Sequence, residues 1–238
     1  MRLGWMRVLS AGVGRDLARH GAGLALLFAV WHVPVALAHA WLVAGVTEPV
    51  AAEAVATLAI ATLYVPLLGG IAYVTAGGAD GPRLVTAAVA GMRRWLALFP
   101  AWLVYTNRLA VGLVLGVVPG LVWLVQGRFL AQAAALRPDV PPFEHSRAVT
   151  AGAWWPVFGL TGLSVGTQLL PLSWSELGFT AVAAGDPSGF AHVAGAGLAA
   201  ALVAGFWCVV DTAVFLHLEQ RNGLSPGGAD ATDSTPAP

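Results

Sequence analysis

An all-α, polytopic integral membrane fold is predicted for this 238-residue chain by its composition, the spacing of its apolar runs and the placement of its arginines. Hydrophobic residues make up 58% of the chain and charged residues 10%, with a mean hydropathy of +0.75. That is more apolar surface than a soluble core of this size can hide. Six apolar stretches, at about 20–44, 50–76, 96–118, 120–136, 154–172 and 190–216, each approach the ~20 residues a helix needs to cross ~30 Å of hydrocarbon. The twelve basic side chains are all arginine, and ten flank apolar runs: Arg2, Arg7, Arg15, Arg19, Arg83, Arg93, Arg94, Arg137, Arg147 and Arg221. Positive side chains near helix ends stay on the cytoplasmic side, so six helices in three hairpins with both termini inside satisfy the pattern. The opposite side then receives Glu48, Glu53, Glu176 and Asp186 and no arginine.

The first stretch follows an amphipathic leader over residues 5–19, which is expected to lie in the interface as a helix of its own. Gly21 to Trp31 resembles a signal-peptide core and Ala38-His39-Ala40 a cleavage site, but the long polar leader favours retention as a first transmembrane helix. Leu96 to Leu136 reads almost continuously apolar and would run about 60 Å as one helix, twice the hydrocarbon thickness. It must reverse, and Pro119-Gly120 is the breaker near its middle, so a hairpin with a tight outer turn is expected there. Ser173 to Gly189 is expected as the long outer loop. Residues 1–222 form one membrane domain, and 223–238, rich in Pro, Gly, Ala, Ser, Thr and Asp, form a disordered cytoplasmic tail.

A short internal repeat accompanies the hairpins. Ser10-Ala11-Gly12-Val13, Thr86-Ala87-Ala88-Val89 and Ser146-Arg147-Ala148-Val149 align without gaps, which predicts three units of interfacial helix plus transmembrane hairpin. Arg83, Arg93, Arg94 and Arg147 are the candidates for contact with anionic lipid headgroups along this surface. Tryptophans near the expected helix ends, among them Trp5, Trp41, Trp95, Trp154, Trp155 and Trp174, support the same boundaries.

Arg108 and Arg128 fall inside apolar runs and are not explained by topology. Arg108 lies on an i+4 row with Gly112, Gly116 and Gly120, a face suited to close helix packing, with Pro119 beside it, so the arginine is expected to point into the bundle. Arg128 shares a helix face with Gln132. Depth counted along straight helices puts the two arginines at similar level, where they form an anion-binding site or pair with carboxylates. Glu53 and Glu176 are the expected partners of Arg108. Asp211 stands as a weaker candidate for Arg128, because it counts deeper toward the cytoplasm.

His32 and His39 share a face of the first helix without a carboxylate between them, which is weak for a metal site, and the lone Cys208 excludes an internal disulfide. No metal or cofactor is expected. The zero net charge argues against nucleic acid. No GxSxG, HExxH or phosphate-binding glycine loop is present, so a non-catalytic role is expected.

From Pro119 to Leu160 the chain resembles a group of bacterial six-helix membrane proteins named for the membrane domain attached to some glycerophosphoryl diester phosphodiesterases, and the YciC-like families similar to it. Pro119-Gly120-Leu121-Val122-Trp123 and then Glu144, Ser146, Thr150, Gly152, Trp154, Trp155 and Phe158 carry the resemblance. The ending Asp211 to Glu219 is similar to their last helix, with Phe215 and Glu219 standing where a tyrosine and an arginine are usual. The resemblance implies a six-helix fold and a bacterial inner-membrane location, and it brings no catalytic residues. The function expected is that of an accessory or scaffold module touching anionic lipids or a protein partner. A small transporter or channel for an anionic substrate, built on Arg108, Arg128 and Gln132, is the alternative.

Overall fold

The computed structural model describes residues 4–45, 62, 64–75 and 84–224, and the regular elements among them are all helices. In chain order these are α1 (Gly4–Gly45), α2 (Tyr64–Thr75), α3 (Leu84–Leu115), α4 (Val117–Gln126), α5 (Leu130–Leu136), α6 (Pro142–Thr150), α7 (Trp154–Ala183) and α8 (Ser188–Arg221). Four segments are long and apolar enough to cross a membrane: Gly12–Leu42, Val85–Leu115, Val117–Leu136 and Ser188–Arg221. The pair α6 and α7, bent by 113° at its break, makes a fifth if taken as one span. Of the expected second span, residues 50–61, 63 and 76 lie outside the described residues, as does the tail from 225 onward.

Close approach of small residues sets the packing. Gly197 of α8 sits against Val33 and Ala36 of α1, and Gly205 against Leu24, so these two helices run antiparallel along much of their length. A Cβ on Gly69 of α2 would lie 2.7 Å from Ala87 O of α3, and one on Gly178 of α7 would lie 2.9 Å from Gly189 O of α8. Neither Gly69 nor Gly178 has room for a side chain at that distance. Leu24 and Phe28 of α1, Leu68 and Ile71 of α2, Leu98 and Trp102 of α3, and Cys208 of α8 form one buried core. Phe129, Val149, Val157 and Phe215 form a second, where the α4–α5 junction, α6, α7 and α8 meet.

Several boundaries differ from the sequence expectation. The leader over 5–19 is continuous with the first long helix, and the stretch from Leu84 is continuous with α3, because neither contains a break strong enough to separate an interfacial helix. Of the three expected interfacial units, α6 alone is a separate helix. It ends at Ala151-Gly152-Ala153, where Gly152 has φ 73°, a left-handed conformation that costs glycine little. The expected outer loop is helical through Ala183, leaving only residues 184–187 as the turn into α8.

The reversal after α3 falls at Gly116, with φ 149°, and not at Pro119-Gly120. Pro119 sits in the first turn of α4, where its missing N–H costs nothing. Gly112 and Gly120 then face each other across the turn, a Cβ on Gly112 lying 3.1 Å from Gly120 N. The expected fourth span is two helices, α4 and α5, interrupted at Gly127-Arg128-Phe129. Gly127 is where the Tyr105 ring of α3 occupies the space a Cβ would need.

Candidate functional site

Interrupting a helix frees backbone groups that need new partners when water is excluded. At this break Ser146 of α6 supplies them, its Oγ donating to Gln126 O at 2.6 Å and accepting from Phe129 N–H at 3.2 Å. The break turns Arg128 toward α8. There its Nη2 donates to both carboxylate oxygens of Asp211, at 2.8 and 2.7 Å, and its guanidinium lies 5.6 Å from the centre of the Trp207 ring. Trp207 is itself held by a bond from its Nε1 to Thr167 Oγ1 at 2.8 Å. Both members of the ion pair are nearly buried, and the Nε of Arg128 is buried with no hydrogen-bond partner.

The pair borders a cavity of about 330 Å³. Arg128, Gln132, Asp211, Gln168, His32 and Tyr64 form its polar wall, and Phe28, Leu130, Trp207 and Cys208 much of the rest. Gln132, 2% exposed, makes no hydrogen bond to another described residue, so its amide is available to an occupant. His32 Nδ1 lies 3.0 Å from Phe28 O; a carbonyl only accepts, so Nδ1 carries the hydrogen and Nε2 is left as an acceptor. The wall therefore offers donors and acceptors at near-zero net charge.

The arginines expected together are apart. Arg108 is exposed, its guanidinium 5.3 Å from the Trp123 ring centre and 5.9 Å from that of Phe143, and it does not line the cavity. No carboxylate is within ion-pair range of it among the described residues, and Glu53 lies outside them. The reason is the turn at Gly116: Gly116 and Gly120 do not continue the i+4 row of Arg108, so that row is not an inward seam. Asp211, the weaker candidate, is the partner Arg128 takes. Gln132 lines the same cavity as Arg128, although the interruption at 127–129 leaves the two on no common helix face. Of the proposed lipid contacts, Arg93 and Arg147 are exposed, Arg94 is half-buried with its Nη1 buried and unpartnered, and Arg83 lies outside the described residues.

A second polar cluster was not anticipated. Glu219, 1% exposed, accepts from Arg137 Nε at 2.7 Å and Nη2 at 2.6 Å in a two-pronged pair, and its Oε1 lies 2.9 Å from His145 Nε2. Arg137 also donates from Nη1 to Leu136 O at 2.9 Å. Beside it Asn222 Nδ2 donates to Val149 O at 3.0 Å and Ala148 O at 3.2 Å, closing the end of α6. By sequence Arg137 is a topology residue, and the signal that points to its further role is Glu219, an acidic residue inside the last apolar helix.

No family model, curated protein or solved structure matches the chain.

Proposed function

We propose that the chain is a multi-pass membrane protein that holds a small polar ligand in the Arg128–Asp211 cavity and does not act on it chemically. The observation that carries this reading is an ion pair in an apolar bundle that leaves Arg128 Nη1 and the Gln132 amide without a bond to any described residue on side chains that line open space. A helix interrupted beside a charged pair, with its freed backbone groups met by Ser146, is the arrangement membrane proteins use to line a cavity. The ligand differs from the anion expected from the sequence. Arg128 is already neutralised by Asp211, so a bare anion meets no net positive charge.

The topology proposed is six crossings in three hairpins with both termini cytoplasmic, in a bacterial inner membrane. The antiparallel packing of α2 on α3, α3 on α4 and α7 on α8 supports it. The reading as an accessory module remains a second one, favoured by the exposed Arg147 on the short α6, which meets α7 at a 113° bend. The two make different demands on the cavity. In a Cys208→Ala background, Ala204→Cys places a thiol on the cavity wall and Ala201→Cys places one in the dry core. In protein stripped of lipid by detergent exchange, a water-soluble thiol reagent is expected to modify Cys at 204 and to spare Cys at 201. Equal protection of both means a packed, dry bundle and ends the ligand reading.

A further inference from the structure

The polar cavity does not stand alone. A second, apolar space of about 430 Å³ lies between α1, α7 and α8, walled by Val35, Ala36, Val165, Leu169, Leu172 and Ala200 among others. The two spaces share His32, Gln168 and Ala204 as common wall. Each is within the roughly 300–1,000 Å³ typical of ligand sites. Val165, Leu169 and Leu172 are also exposed on the outer surface of α7, so the apolar space opens sideways from the bundle. A polar chamber beside an apolar, laterally open groove, with His32, Gln168 and Ala204 facing both, has the outline of an amphiphile.

We infer that the occupant is a phospholipid whose headgroup carries both a phosphate and a primary amine, with the headgroup against Arg128 and Asp211 and one acyl chain in the groove. This rests on the cavity reading above. Charge decides the headgroup. An anionic headgroup has to draw Arg128 away from Asp211 and leave a buried carboxylate unpaired, and a cationic one does the reverse to Arg128. A zwitterion meets both charges without leaving either unpaired. Arg128 Nη1, which bonds to no described residue on a side chain that lines the cavity, is a donor for a phosphate oxygen, a charge-assisted bond of the strong kind. Asp211, Gln132 and His32 Nε2 supply acceptors, which an ammonium with N–H bonds uses and a quaternary ammonium does not. The groove accounts for the chain: its wall is mostly apolar, with His39, Ser175 and Glu176 as polar members beyond the shared His32 and Gln168, and its opening on α7 lets the acyl chain run into the surrounding hydrocarbon.

The test uses the full chain carrying Cys208→Ala and Ala204→Cys, whose thiol stands at the junction of the two spaces. After lipid removal, the rate of thiol modification is measured alone and with mixed micelles of dioleoyl phosphatidylethanolamine, phosphatidylcholine or phosphatidylglycerol. The ethanolamine lipid is expected to slow modification about tenfold, one charge-assisted bond's worth of affinity, and the other two by no more than about twofold. Adding Ala200→Phe, which fills the groove without touching the polar chamber, is expected to abolish that protection while the thiol still reacts. Equal protection by all three lipids, no protection by any, or full protection in the Ala200→Phe protein overturns the inference. A thiol that reacts but is protected by none of the lipids refutes the lipid and leaves the cavity standing; a thiol that never reacts refutes both.

Discussion

Two charged pairs are buried in the same bundle, and they are finished differently. At the α5–α6 end, Glu219 meets Arg137 through two parallel bonds and His145 through a third, with the remaining Arg137 nitrogen on a carbonyl. Its donors and acceptors are spent on one another. At the α4–α5 break, Arg128 meets Asp211 through a single nitrogen, keeps a buried Nε without a partner and faces a cavity. Saturated charge fixes a structure; charge with bonding capacity left over beside open space is where a ligand is received.

The largest effect is expected from breaking the saturated cluster. Arg137→Met leaves the Glu219 carboxylate buried with only His145, and a loss of about 3–5 kcal/mol is expected in denaturant unfolding of the purified protein. An unchanged midpoint would move this cluster out of the structural class. Next comes the serine that serves the helix break. Ser146→Ala strands Gln126 O and Phe129 N–H, costing about 1–3 kcal/mol and loosening the position of Arg128, so thiol modification at Ala204→Cys is expected to change with it. Ser146→Thr keeps the hydroxyl and should restore most of the loss. Gly116→Ala places a side chain at φ 149°, a strain of roughly 1–3 kcal/mol that reports on the turn and not on the cavity.

The smallest effect lies in the turn between α7 and α8. Asp186 accepts a hydrogen bond from Ser188 N–H at 2.8 Å, and that bond holds its carboxyl below the usual carboxylate range. A lowered folded-state pKa stabilises above the unfolded value, about 4, and the gain is lost as pH falls through the folded one. Asp186→Asn, which keeps an acceptor but no titration, is expected to flatten the acid limb of the thermal midpoint slightly. An identical acid limb in both proteins would show that this cap contributes nothing.

The helical, multi-spanning class was legible because it depends on composition and on the length of apolar runs. That Arg128 faces protein was legible from its charge inside an apolar run; that it lines one cavity with Gln132 comes from the break at 127–129 and not from helical spacing. What was lost came from treating helices as straight and continuous. Counting depth along an unbroken fourth helix separated Arg128 from Asp211; the break at Gly127, packed against Tyr105 of a different helix, brings them together. Extending the glycine row of Arg108 past Gly116 turned that arginine inward, whereas the chain reverses there and leaves it on the Trp123 and Phe143 rings. Ser146 gave no local sign of its task, because the backbone groups it serves lie some twenty residues upstream.

The contrast between the pairs is tested most directly by removing the Arg128–Asp211 pair as a unit. Arg128→Met with Asp211→Leu leaves no unpaired buried charge, so its thermal midpoint is predicted to stay within about 2–4 °C of the parent. In the Ala204→Cys background the thiol is predicted to remain reactive and to lose its protection by phosphatidylethanolamine. A midpoint that falls as far as that of Arg137→Met, or a double variant that is still protected, would contradict the assignment of this pair to ligand binding.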